Sequence, residues 1–185
     1  MSFQATESSF NELVGVSTRK YVIPRYQREY SWGGDNLVTF WSDIHDEDEF
    51  FFGSIVLKTP DNDRLRIEII DGQQRMLTMT IFYSAIRDVL HELGELTDAA
   101  SIHSQYIIQR RGRRDNDFII QPTLGLRGYF QRSVQSLEPD FSRPTTKEEK
   151  RVRKNYEWFK ARIYEKIHAN SSDNSLPIID DLIEI

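Results

Sequence analysis

The sequence contains no cysteine among its 185 residues. Disulfides are therefore excluded, and with them a thiolate metal site or a cysteine nucleophile. Histidine is scarce as well. His45, His91, His103 and His168 stand far apart and form no His-x-x-x-His pair that would seat a metal. No run approaches the ~18 consecutive apolar residues that a membrane helix requires. Met1 to Phe10 has neither the basic start nor the apolar stretch of a signal peptide, so the chain reads as cytoplasmic. Internal repeats and low-complexity tracts are absent too.

What is present is a globular composition, 38% hydrophobic and 29% charged, in a chain long enough to build a core without staples. The net charge of −5 is unevenly spread. Residues 1–105 carry 9 Lys/Arg against 17 Asp/Glu, whereas residues 106–170 carry 15 against 8. A basic third inside an acidic chain suits contact with phosphates, because the local field sets that attraction. Solvated helix faces account for the same charges.

Periodicity orders the elements. Phe10, Leu13 and Val14 give a short helix an apolar side, and Tyr21-Val22-Ile23 closed by Pro24 reads as an edge strand. Gly33-Gly34-Asp35-Asn36 is a turn before a helix over about 37–46. Phe51 to Leu57 and Arg64 to Ile70 read as two strands of an antiparallel hairpin around Asp61-Asn62-Asp63. A long apolar-rich helix over 76–93 ends at Gly94. Residues 101–109 suit a strand or a helix, Arg110 to Asp117 an exposed basic turn, and Phe118-Ile119-Ile120 a short strand. A helix over 128–137 buries Tyr129, Phe130 and Val134. After a linker over 138–146, Thr146-x-x-Glu149 opens a last long helix in the capping-box pattern, with Val152, Tyr156, Phe159, Ile163 and Ile167 inward. A further helix begins near Pro177 and is unfinished at Ile185, which suggests a chain continuing into a larger protein. The expected class is α+β, a small mixed sheet with packed helices followed by a helical portion.

Two segments carry chemistry. In Ile70-Asp71-Gly72-Gln73-Gln74-Arg75 a buried strand turns straight into a helix. The free N–H groups and dipole at such a helix start attract anions, and Gly72 lets a ligand approach the backbone. Arg75 can pair with a phosphate, Asp71 can hold a magnesium-bound water, and Gln73 or Gln74 can position water. A capped turn with an Asp71–Arg75 pair explains the same residues. In Pro24-Arg25-Tyr26-Gln27-Arg28-Glu29-Tyr30-Ser31-Trp32, aromatics alternate with charge, as in a loop that stacks a base. A loop whose aromatics plug the core edge is the other account.

Taken in order, Ile23-Pro24-x-Tyr26-Gln27-Arg28-x-Tyr30-x-Trp32, Trp41-x-Asp43-Ile44, Phe52-Gly53-Ser54-Ile55-Val56, Ile70-Asp71-Gly72-Gln73-Gln74-Arg75-x-Leu77-Thr78 and Asn155-Tyr156-x-x-Phe159 resemble one bacterial family. It is typified by the GmrS half of the GmrSD modification-dependent restriction enzyme and belongs to the ParB/sulfiredoxin-like fold. Met76-Leu77-Thr78-Met79 departs from the Leu-Thr-Thr-Leu of many relatives, apolar for apolar.

The resemblance implies NTP binding and hydrolysis at Asp71, Gly72, Gln73, Gln74 and Arg75, with Mg²⁺ on Asp71. Gln27 and Arg28 would form the facing wall, and Thr78 would join the nucleotide-binding set. It divides the chain into a nucleotide-binding core over 1–95 and a helical extension over 96–185. It also implies a sensor that regulates a nuclease located further along or on a partner, since no His-Asn-His nuclease motif occurs in these residues. A second reading makes the domain a module for modified DNA, with Tyr26, Tyr30 and Trp32 as the pocket and Arg110, Arg111, Arg113 and Arg114 on the backbone. A third makes it a DNA endonuclease domain. Homo-oligomers are compatible with all three.

Overall fold

The longest apolar stretch of the sequence becomes the axis of the molecule. The computed structural model describes residues 4–15, 19–46, 51–61, 63, 65–110 and 116–169. Helix α3 (Gln73–Leu93) buries almost every residue of its first five turns, so it has no solvent face to pattern. The strongly buried positions Met76, Ile81, Phe82, Ala85 and Ile86 point to different sides, and sheet and helices pack around them. Gly94 ends the helix in the left-handed conformation (φ 89°), as the sequence predicts.

A four-stranded mixed sheet lies beside α3. It contains β1 (Lys20–Val22), β2 (Val56–Lys58), β3 (Arg66–Asp71) and β6 (Ile120–Gln121) in the order β2-β3-β1-β6. Strands β3 and β6 both run parallel to β1, while β2 and β3 form the expected antiparallel hairpin. The edge position expected for β1 is corrected: this strand is central. Pro24 lies two positions past the last ladder residue, Val22, so its missing N–H is not demanded, and the Ile23 N–H still donates to the Gln121 carbonyl at 2.9 Å. Tyr21, Val22 and Ile23 are all buried, as a parallel strand covered on both faces requires.

Strand β2 is shorter than its apolar run suggests. Gly53 takes φ 93° and breaks the extended path, so residues 51–55 pair with no strand among the described residues. Helix α2 (Asp35–Asp46) buries Leu37, Phe40 and Ile44, and α1 (Phe10–Val14) is closed by a full Ser9–Glu12 capping box. The ambiguous stretch after Gly94 holds both alternatives in succession. Helix α4 (Leu96–Ile102) runs through a π-helical turn (His103–Ile107) into β4 (Ile108–Arg110), which pairs with β5 (Asn116–Phe118). Phe118-Ile119-Ile120 is split at Ile119 between β5 and β6. Helix α5 (Leu124–Phe130) starts four residues earlier than expected and continues as a π-helical turn to Gln135. Helix α6 (Lys147–Ala169) opens with the predicted box: the Thr146 N–H donates to Glu149 and the Glu149 N–H to Thr146 Oγ1 at 3.1 Å. Residues on both sides of position 95 share this sheet and one hydrophobic core. The helix expected from Pro177 lies outside the described residues.

One polar knot sits inside the helical side. Arg87, 2% exposed, donates from Nε to Asp88 and from Nη1 to His103 Nδ1 and the Val134 carbonyl, and the Tyr156 hydroxyl donates to the other Asp88 oxygen. Burial, with the adjacent Arg87 cation, pushes the His103 imidazole down to about 4 from its ordinary 6.5. Between those values the unfolded chain binds a proton that the folded one refuses. Stability is therefore full above about pH 6.5 and falls as the pH drops towards about 4. His103→Gln, whose amide oxygen can still accept from Arg87, is expected to flatten that fall when the unfolding temperature is compared at neutral pH and about pH 4.5. An equally steep fall in the variant would assign the acid sensitivity elsewhere.

Candidate functional site

Parallel sheets place ligands at the carboxyl ends of their strands. Here β3 runs off that edge at Asp71, and Gly72 turns the chain directly into α3. Gly72 has φ 91° and ψ 9°, a conformation that residues with a Cβ adopt only at a cost. A Cβ at this position would also lie 3.0 Å from Ile55 Cγ1 and 3.2 Å from Ile55 Cα. Among the described residues no side chain caps the start of α3. Its first-turn N–H groups and the positive end of the dipole therefore remain available at the edge.

The whole Asp71–Arg75 segment, with Gln27, Arg28 and Trp32 from the loop after β1, lines a cleft of about 480 Å³. Asp71 is exposed and has no ion-pair or side-chain hydrogen-bond partner among the described residues. The Arg75 guanidinium lies over Gly53, where an added Cβ would sit 2.7 Å from its Nε, and Nη1 reaches the Ser54 carbonyl at 3.4 Å. The broken strand at Gly53 thus makes the shelf on which Arg75 rests.

The facing wall is tied to α3 by amides. Gln27 Nε2 donates to the Ile70 carbonyl at 2.6 Å and Gln73 Nε2 to the Arg28 carbonyl at 2.9 Å. Gln74 is 5% exposed. Its Nε2 donates to the Glu29 carbonyl, and its Oε1 accepts from the Ser31 N–H at 2.7 Å and the Trp32 N–H at 3.2 Å. The expected role of Gln74 in holding water is corrected: its oxygen is occupied by the loop backbone. The Gln73 Oε1 has no such partner among the described residues.

Two further assignments are corrected by burial. Tyr30, expected in a DNA-reading pocket, is 1% exposed, and Thr78, expected to bind nucleotide, is fully buried. Their hydroxyls bond each other at 2.8 Å, and Asn155 Nδ2 donates to Tyr30 from α6. Burial pushes the Tyr30 phenol up to about 12, so it remains a neutral structural group. Of the other aromatics, Trp32 is half-buried at the cleft and Tyr26 is 72% exposed. Arg110 ends β4, while Arg111, Arg113 and Arg114 lie outside the described residues, as does the Arg110 side chain.

Sequence reading missed the contribution of α6. Glu148 Oε1 accepts the Tyr30 N–H at 2.6 Å, Arg151 Nη1 donates to the Ser31 carbonyl at 2.9 Å, and Asn155 Nδ2 also donates to the Trp32 carbonyl at 2.8 Å. Burial pushes the Glu148 carboxyl up, against the pull of the Tyr30 N–H. The available signal was polar Glu148 and Asn155, seven residues apart, flanking Val152 on the apolar face of a helix.

Two of the motif segments line this cleft, with Gly53 under Arg75 and Asn155 behind the wall, and residues 10–183 match the family described as GmrSD restriction endonuclease, N-terminal domain. The chain belongs to that family. No curated protein matches it. Membership in the GmrSD N-terminal domain family gives the chain a role in a restriction system, and the α+β architecture agrees with the class expected. Among the described residues no helix is long and apolar enough to cross a membrane, and no three His, Asp or Glu side chains are grouped to hold a metal.

Gln74→Ala leaves two backbone N–H groups of the wall unpaired and is expected to cost about 2–4 kcal/mol of unfolding free energy in urea titration. A loss below about 0.5 kcal/mol would mean that the amide does not hold the wall. Gly72→Ala is expected to cost about 2 kcal/mol or more, from left-handed strain plus contact with Ile55. A neutral result would show that the turn can be rebuilt.

Proposed function

We propose that the cleft binds and hydrolyses a nucleoside triphosphate, making the chain the sensor domain of a phage-defence restriction system. In this reading it regulates a nuclease located elsewhere in the protein or on a partner. The observation that carries this reading is the uncapped start of the buried helix α3. It opens at the carboxyl end of β3, with exposed Asp71 and half-buried Arg75 on either side of the Gly72 turn. Phosphates fit there because first-turn N–H groups, dipole and guanidinium favour the same anion. The segment would take the place of the phosphate box in ParB-type nucleotide switches, as the resemblance implies.

A magnesium ion fits the donor set, since such ions keep several waters and are held by one or two carboxylates together with substrate phosphates. Asp71, unpaired among the described residues, would hold it. Neutralisation of phosphate charge is the chemistry that the bound ion supplies. Arg75 would bind the terminal phosphates and Gln73 Oε1 would accept a hydrogen bond from the attacking water, orienting it. Gln74, Asn155 and Glu148 keep the Arg28–Trp32 wall in place. Phosphoryl transfer needs mainly such positioning and charge stabilisation. Restriction of modified DNA gives the sensor its input. On that side, exposed Tyr26 beside Arg25 and Arg28 supports a second reading, recognition of modified DNA without catalysis.

Phosphate release from ATP, GTP, CTP and UTP with magnesium tests the first reading. Arg75→Ala is expected to lower turnover ~100-fold or more, the scale of losing one charge-stabilising donor, with the fold retained. Turnover unchanged by Arg75→Ala would exclude this site. Absence of turnover and of nucleotide binding in the folded wild type, with modified-DNA binding lost in Tyr26→Ala, would favour the second reading.

A further inference from the structure

The cations of α6 fall into two groups that differ in their partners. Three are neutralised: Arg153 pairs with Glu157 at 2.8 Å, Arg162 with Glu165 at 2.7 Å, and Lys160 with Glu92 of α3. Lys147, Lys150, Arg151 and Lys154 are different. They occupy positions i, i+3, i+4 and i+7, so they share one face, and all four are exposed. None has a carboxylate partner among the described residues. Arg151 donates to the Ser31 carbonyl and leaves that carbonyl's loop, the wall of the cleft, joined to the stripe. Arg28, exposed on the same loop, lines the cleft itself.

Four like charges on adjacent turns repel one another, and Lys147 and Lys150 stand at the helix start, where the dipole disfavours cations. Apart from the Arg151–Ser31 bond, folding of α6 therefore gains nothing from the charges of this stripe. The two acidic residues of the first turn do not offset it from the same face. Glu148 and Glu149 are turned inward, to the Tyr30 N–H and to the Thr145 and Thr146 N–H groups.

We propose that this stripe is a binding surface for the phosphate backbone of double-stranded DNA. Four residues spanning seven positions cover ~10 Å of helix, and duplex DNA offers one negative charge per ~1.7 Å of its axis. Such a surface positions a duplex without reading its sequence. Its union with the wall through Arg151 and Ser31 would set bound DNA beside the cleft. The proposal deepens the restriction reading and rests on DNA being the partner, not on nucleotide hydrolysis.

The test is fluorescence anisotropy of the full chain with a labelled unmodified duplex of about 20 base pairs, without nucleotide, at several salt concentrations. The variant Lys147→Gln/Lys150→Gln/Lys154→Gln changes exposed side chains only and keeps Arg151 for the loop. It is expected to bind at least 10-fold more weakly at low salt, with the log–log salt slope reduced by about 2–3, close to 0.9 per lost phosphate contact. The control Arg153→Gln/Lys160→Gln/Arg162→Gln is expected to change the slope by less than about 1. Equal losses in both variants would show only a response to net charge and overturn the proposal. So would an unchanged slope in the stripe variant, a wild type without salt-dependent binding, or a loss confined to neutralisation of Arg110, Arg111, Arg113 and Arg114. Because DNA binding is read without nucleotide, its failure and the failure of hydrolysis in Arg75→Ala are separate results.

Discussion

Everything at the cleft depends on one backbone constraint, the left-handed turn at Gly72. A strand of the sheet must pass into a helix that is buried on all sides, and the chain has a single residue in which to do it. Gly72 makes the change in direction, and Ile55 packs where a side chain would be. The consequence is chemical as well as geometric. A glycine cannot cap a helix with its side chain, so the start of α3 keeps its donor capacity. A serine or aspartate at this position would satisfy the helix and close the anion site together.

From that turn the polar residues divide by direction. Successive helical residues are rotated by about 100°, so neighbours in Gln73-Gln74-Arg75 serve different surroundings. Gln74 faces the loop after β1 and makes itself part of its backbone network. Arg75 faces out over Gly53, and Asp71 stays at the end of the strand in solvent. The motif is half scaffold and half surface. Tyr30, Thr78 and Asn155 continue the scaffold inward through hydroxyl and amide bonds, and a phenol that stays neutral is suited to that place.

Much of this could be read from residues. The hairpin of β2 and β3, the long helix ended by Gly94, the capping box of α6 and the cleft segment itself all follow from local rules that the tertiary structure leaves intact. What could not be read was which aromatic faces water. Tyr26, Tyr30 and Trp32 alternate identically in sequence, yet only Tyr26 is exposed, because Asn155 and Thr78 supply Tyr30 with partners from distant elements. The central place of β1 was hidden for the same reason, since its neighbour β6 is contributed by residues about a hundred positions later. Gly53 carried a visible warning inside the apolar run over 51–57. Its meaning, a shelf for Arg75, required the contact.

The ties between wall, α3 and α6 also bear on how a cleft of this kind could influence anything outside itself. Each hydrogen bond contributes only about 1 kcal/mol when made, but leaving a buried member unpaired costs about 1–3 kcal/mol. The Arg28–Trp32 wall is held by Gln73 and Gln74 on one side and by Glu148, Arg151 and Asn155 on the other. It cannot shed one side cheaply while keeping the other, so wall and helix favour moving together over drifting independently. That is the property a coupling element needs, because a ligand shifts a distant group only by what it gains differently in two discrete arrangements. A charge that pulled on Arg28 would therefore act on α6 through the loop. A polyanion that pulled on the exposed face of α6 would act on the cleft through the same bonds, with the same coupling energy.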